Sequence, residues 1–160
     1  MTITAATQEV SVPFQTVSLL AQHQTGANVT GVLLQVKNIE LGSFAPGATV
    51  SLPEGAQARV RGQTQNVTGT WVDIPVGTGL TEIIAPFWTA SFVAVDSAGQ
   101  PLNDVVFSVR NFTGSFLPAQ PLTLPQGAKV KIRATVAGQH KSWKSFIFTN
   151  GLNEIVPPGV

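Results

Sequence analysis

Short runs of alternating apolar and polar residues recur along this chain, and their period is two. Ala56, Ala58 and Val60 alternate with Gln57, Arg59 and Arg61, and Val130 and Ile132 alternate with Lys129, Lys131 and Arg133. That spacing sends aliphatic side chains to one face of a strand and cations to the other. The segments "TVSLLAQ" at 16–22 and "TASFVAVD" at 89–96 each lead through a glycine-containing turn into "GVLLQVKN" or "DVVFSVRN", rich in the residues that strands prefer. Asn150-Gly151 reads as a hairpin turn needing positive φ, and Thr78-Gly79 keeps the glycine at the corresponding place. No helical period competes with these signals. The expected fold is all-β: small antiparallel sandwiches of roughly six or seven strands each.

The same pattern is written twice. Residues 43–62, "SFAPGATVSLPEGAQARVRG", return at 115–134 as "SFLPAQPLTLPQGAKVKIRA". Earlier in the chain Pro13-Phe14 returns as Pro86-Phe87, Gly26 as Gly99, and Val32, Val36 and Asn38 as Val105, Val109 and Asn111, at an offset of 73. One residue is lost near Leu41, and the offset is 72 to the end, where "GLTEIIAP" at 79–86 becomes "GLNEIVPP" at 151–158. A repeat on this scale overrides the length prior of one domain for 160 residues. The expected organisation is an extended arm over 1–12, a first sandwich over 13–85 and a second over 86–160, built by internal duplication. Val32 and Val105, Leu52 and Leu124, and Trp71 and Trp143 are expected at matching buried sites. Phe44 and Phe116, beside prolines, are expected in the cores.

The stretch "VDSAGQPLNDVVFSV" at 95–109 resembles the opening of carboxypeptidase-regulatory-like, transthyretin-like and bacterial Ig-like modules. In those modules a strand, a D-x-x-G-x-P-L turn and a second apolar strand recur. The first copy, "AQHQTGANVTGVLLQV", lacks the Asp and the Pro. The resemblance implies a β-sandwich serving as a spacer, adhesion or assembly module in surface and virion proteins, a fold-level analogy.

Composition narrows the chemistry. Hydrophobic residues make up 43% of the chain, charged residues 11%, and the net charge is +1, too small to drive binding to nucleic acid or to a membrane. Cysteine is absent, no secretory leader is recognisable at the Met start, and no apolar run has the length of a membrane span. His23 and His140 sit at non-equivalent, turn-like places, and no serine lies in a Gly-x-Ser-x-Gly elbow. The acids are scattered singly, without the spacing of a calcium loop; Asp96 and Asp104 flank one turn and are read as turn caps. The expectation is no enzyme, no metal and no cofactor. Sequons begin at Asn28, Asn66 and Asn111, none at equivalent positions.

Charge separates the copies. Lys37, Arg59 and Arg61 oppose four acids in the first, whereas Arg110, Lys129, Lys131, Arg133, Lys141 and Lys144 oppose three in the second. Lys129, Lys131 and Arg133 form a stripe suited either to an anionic partner surface or to a solvated edge that resists aggregation. Trp88 has Gln15 as its counterpart, so it is placed either to wedge between the sandwiches or to face a neighbouring subunit. Thr2, Ile3, Thr4, Val10 and Val12 on the arm suit an extended segment that adds to an open sheet edge, because the arm is not needed to complete a sandwich. These nine residues are the candidate interface. The expected function is a structural component of a virion surface, such as a phage capsid decoration protein, with capsid or neighbouring subunits as protein partners in an oligomer or array. A secreted filament, surface layer or adhesin is the alternative, and a carbohydrate-binding accessory domain, testable by Trp88→Ala, is the third.

Overall fold

The computed structural model of the protein describes residues 11–37 and 42–160. Among these residues all regular structure is β. The strands are β1 (Phe14–Gln22), β2 (Leu33–Lys37), β3 (Ser43–Phe44), β4 (Thr49–Pro53), β5 (Gln57–Thr64), β6 (Val67–Thr68), β7 (Val72–Pro75), β8 (Glu82–Phe92), β9 (Val105–Val109), β10 (Pro121–Pro125), β11 (Lys129–Val136), β12 (Gln139–His140), β13 (Lys144–Ile147) and β14 (Glu154–Ile155). The alternation that marks β5 and β11 in the sequence is the alternation of their burial: Ala58 and Val60 point inward, as do Val130 and Ile132.

Two apolar cores form between facing sheets. The first joins Val17, Leu19 and Ala21 of β1 and Val50 and Leu52 of β4 to Leu34 and Val36 of β2 and Ala58 and Val60 of β5. The second joins Ala90 and Phe92 of β8 and Leu122 and Leu124 of β10 to Val105, Phe107 and Val109 of β9 and Val130 and Ile132 of β11. Each core is therefore the filling of a sandwich, here numbered 1 and 2. Burying side chains of this size contributes roughly 1.5–3 kcal/mol apiece, so these clusters are the main source of stability. In sandwich 2 the Phe92 ring stacks on Phe107 at 4.7 Å and on Phe116 at 4.9 Å between centroids.

Strand pairing in the two halves follows the same register. Phe14 faces Pro53 where β1 meets β4, and Phe87 faces Pro125 where β8 meets β10. Val36 faces Val60, and Val109 faces Ile132. Gln57 faces Pro75, and Lys129 faces Ile147; Leu34 faces Phe44, and Phe107 bridges Phe116. The parallel contact of Leu19 with Ile83 is matched by that of Phe92 with Ile155. Every one of these correspondences keeps the offset of 72 or 73 seen in the sequence.

Strand β8 belongs to both sandwiches. Its first part lies parallel to β1 and closes sandwich 1; its second part pairs with β10 and β14 and opens sandwich 2. Ile83, Ala85 and Phe87 are buried in the first core, whereas Ala90 and Phe92 are buried in the second. The alternation slips by one residue between Phe87 and Ala90, across half-buried Trp88 and Thr89. A slip of one residue exchanges the two faces of a strand. The strand can thus feed one core and then the next without leaving the extended conformation.

The expected turn caps are partly visible. The Asp96 carboxylate accepts hydrogen bonds from the Ala98 and Gln100 amides, both at 2.9 Å. Val32, Val105, Leu52 and Leu124 are buried, and Phe44 and Phe116 are half-buried against their cores. Trp71 and Trp143 differ from expectation. Both are half-buried outside the cores, where a cation approaches each ring. The reason is strand parity: one step beyond the Val60–Val72 pair, Trp71 lies across from outward-pointing Arg61, and Trp143 is related to Arg133 in the same way.

Candidate interaction surfaces

The most constructed surface in the molecule is the junction between the sandwiches. The Phe87 ring reaches back into sandwich 1 and lies against Gly62 of β5, where a Cβ would overlap the ring. Gly69 allows a second close approach, since a Cβ there would stand 2.6 Å from the Gln126 carbonyl oxygen. In the opposite direction Val67, carried by β6, is buried in the second core. Each sandwich thus inserts one apolar side chain into the other.

Hydrogen bonds reinforce the plug. The Gln24 side chain donates to the Thr89 carbonyl at 2.7 Å and accepts from the Thr89 amide at 2.9 Å, so a side-chain amide stands in for a neighbouring strand. The Gln65 side-chain oxygen accepts from the Thr113 amide at 2.8 Å and from its hydroxyl at 3.0 Å. The Thr70 amide donates to the Gln126 carbonyl at 3.1 Å. The Thr89 backbone groups, where β8 passes from sandwich 1 to sandwich 2 within one sheet, would otherwise lack these partners.

A basic cleft of about 320 Å³ lies beside this junction, lined by Arg110, Lys129 and Lys131 of sandwich 2 and by Asn66 and Thr68 of sandwich 1. Of the expected cationic stripe, Lys129 and Lys131 are exposed and reach this cleft, whereas Arg133 is half-buried with its guanidinium 4.6 Å from the Trp143 ring centroid. Arg110 approaches the same ring at 5.5 Å. In sandwich 1 the corresponding ring, Trp71, has Arg61 at 4.4 Å and Lys37 at 5.2 Å. Contacts of this kind are worth about 0.5–1 kcal/mol at exposed sites, so their structural effect is to hold the cations and the indole in place.

The remaining candidates separate. Trp88 packs against the second core and its indole N–H donates to the Leu152 carbonyl, which makes it a brace within sandwich 2. Thr2, Ile3, Thr4 and Val10 lie outside the described residues. Val12 is described, and it is 50% exposed. Sequence reasoning missed Phe14, which is 60% exposed although its counterpart Phe87 is 1% exposed. The available signal was the pair Pro13-Phe14 and Pro86-Phe87, read only as a mark of repetition. All three sequon asparagines are exposed, and Asn66 and Asn111 line the cleft.

Nucleophile and base chemistry has no assembled site among the described residues. His23 is hydrogen-bonded to the Thr25 hydroxyl at 2.9 Å, and His140 to the Thr135 hydroxyl at 2.8 Å, each on its own hairpin or loop. No three His, Cys, Asp or Glu residues converge among the described residues. Among the described residues no helix is long and apolar enough to cross a membrane.

No protein-family model and no curated protein matches the chain. Among solved structures it is similar to the Bacillus anthracis TIE protein, at 14% identity and a TM-score of 0.32, over 90% of this chain and 33% of that one. It is also similar to a variant of the shaft pilin SpaA from Lactobacillus rhamnosus GG, at 11% identity and a TM-score of 0.29, over 92% of this chain and all of that one. The chain thus spans about a third of the TIE protein. Similarities this distant carry no functional argument.

Proposed function

We propose that the protein is a non-enzymatic building block that joins a larger assembly through protein–protein contacts. The observation that carries this reading is the junction. Two like sandwiches share a strand, exchange Phe87 and Val67, and approach closely at Gly62 and Gly69. Domains joined by a free linker move relative to one another; plugs and side-chain clasps of this kind oppose such motion. A stiff strut of repeated sandwich units is suited to transmitting position rather than to turning over a substrate. The matched pairing registers support an origin by duplication of one sandwich, with the arm as a separate element.

As the setting we propose the outer surface of a virion, with the chain as a decoration subunit on a phage capsid. Its low charge and turn-rich, valine- and threonine-rich strands suit an exposed shell component. A secreted filament, surface layer or adhesin is the second setting, favoured by one specific observation: a strand that passes from one sandwich into the next continues along a line. Contacts to neighbours fall to the arm and to the Lys129 and Lys131 face.

Sedimentation and negative-stain microscopy of the full chain test the proposal. The expected result is an oligomer, array or particle-bound form that weakens when residues 1–11 are deleted, with the circular dichroism melt unchanged. A chain that stays monomeric at all concentrations and does not co-sediment with particles contradicts it. So does turnover of an ester, glycoside or peptide that disappears on changing His23 or His140.

A further inference from the structure

The strand that closes each sandwich carries a short signature. Glu82-Ile83-Ile84-Ala85-Pro86 closes sandwich 1, and Glu154-Ile155-Val156-Pro157-Pro158 contains β14, which closes sandwich 2. Both read Glu, a β-branched aliphatic, two residues, then Pro. The same signature stands a third time, as Glu9-Val10-Ser11-Val12-Pro13. It is followed by Phe14 as Glu82–Pro86 is followed by Phe87. The chain therefore has three closing-strand sequences and two sandwiches.

The structure shows what the surplus copy lacks. Ala85 and Phe87 are only 0% and 1% exposed because sandwich 1 lies over them, whereas Val12 and Phe14 are 50% and 60% exposed. Beside Phe14 a largely apolar pocket of about 320 Å³ opens between Leu52, Pro53, Ala56, Ala58 and Val76, with Lys37, Ser51 and Gln57 also in its lining. The corresponding end of sandwich 2 is the one that takes Val67 from sandwich 1. Parity agrees: in β8 the side chains at 83, 85 and 87 face the preceding core, and Val12 and Phe14 have the same spacing as Ala85 and Phe87. Glu9 and Val10 lie outside the described residues, and their part rests on sequence.

The far end of the molecule does not offer the matching socket. There Ala134 stands where sandwich 1 has Gly62, Gln139 where it has Val67, and Lys141 where it has Gly69. The Lys141 side chain also lies across Gly159. Head-to-tail stacking of two identical chains by the junction geometry is thereby blocked.

We propose that the Phe14 end docks a further sandwich of the sandwich 1 type that lacks a closing strand of its own, with Glu9–Pro13 supplying that strand and Phe14 entering its core. Strand addition satisfies the partner's open edge, and alternate apolar side chains set the register. The partner needs a glycine opposite the Phe14 ring and an apolar residue on its hairpin, as Gly62 and Val67 provide for sandwich 2. The inference deepens the assembly reading and rests on it, because it names the partner that the arm would hold.

A three-sandwich chain provides the test: a copy of residues 14–81 is joined directly in front of residues 9–160. The expected result is that the added segment folds and that the calorimetric unfolding enthalpy rises by about half, in proportion to the residues added. Phe14→Ala, with little effect in the natural chain, should then lower the melting temperature of the longer one as Phe87→Ala does. Val10→Asp with Val12→Asp should leave the added segment unfolded and protease-sensitive while the two original sandwiches stay intact. An added segment that never folds, or that folds equally well with both aspartates, overturns the proposal. So does a natural chain whose sandwich 1 melts at lower temperature when residues 1–11 are deleted, since the arm would then belong to its own sandwich. Sedimentation of the natural chain separates the two ideas: self-assembly with an unfolded third segment defeats the inference alone, and a folded third segment without any assembly defeats the assembly reading alone.

Discussion

Phe14 and Phe87 begin the same strand of two matching sandwiches, follow the same proline, and face equivalent prolines across the sheet. One is mostly in solvent and the other is among the most buried side chains in the molecule. Nothing in either residue or its local sequence makes that difference; the presence of sandwich 1 in front of Phe87 does. The glycines say the same from the other side. Gly62 leaves room for the Phe87 ring, and Ala134, at the corresponding place in sandwich 2, fills that room with a methyl group of its own. The two units share a plan for their interiors and differ where they have, or lack, a neighbour.

The largest expected effect breaks this comparison at the ring. Phe87→Ala empties a site shared by the first core and the junction, and should cost about 3–5 kcal/mol in chemical denaturation. Phe14→Ala in the natural chain should stay within about 0.5 kcal/mol, as for other exposed positions. Equal losses at the two sites would mean that the junction is not what buries Phe87.

Gly62→Ala tests the same contact from the socket. The added Cβ must displace the ring, and overpacking of this sort costs typically about 1–3 kcal/mol. Combining it with Phe87→Leu should recover part of the loss, which a strand-propensity effect of the glycine would not allow.

The smallest contrast lies outside the cores. Arg61 donates through Nε to the Gln35 side chain at 2.7 Å, whereas Arg133 has Ser108 at the corresponding place and its buried Nε has no partner among the described residues. Ser108→Gln should supply one and stabilise sandwich 2 by about 0.5–1.5 kcal/mol. The exposed Arg59–Asp73 pair, 2.7 Å apart, serves as the control: Asp73→Asn should change stability by less than about 1 kcal/mol, and less still in high salt.

The strands were legible because alternation of burial is imposed by the chain itself, and β5 and β11 carry it without interruption. The repeat was read from turn residues such as Gly26 and Gly99, Pro53 and Pro125, and Gly55 and Gly127, which recur at an offset of 73 and then 72. Trp71 and Trp143 were read as core because they stand at equivalent positions of the repeat; their outward placement follows from cross-strand parity with Arg61 and Arg133, which appears only once the β5–β7 and β11–β13 registers are known. Trp88 lacked an equivalent in the other copy, and that absence suggested an interface rather than the brace to Leu152. Phe14 and the junction were hidden for a different reason. A side chain that leaves its own unit to fill another is recorded in the sequence of both units, at positions far apart along the chain.

Hydrogen exchange along β8 tests the central claim that the two sandwiches are locked through one continuous strand. If they are, the amides of Ile83, Ile84 and Ala85, before Pro86, and of Trp88 to Phe92, after it, should include protected protons on both sides that exchange with the same opening free energy. Fast exchange confined to Phe87, Trp88 and Thr89, between two separately protected blocks, would describe two domains on a hinge and contradict the account.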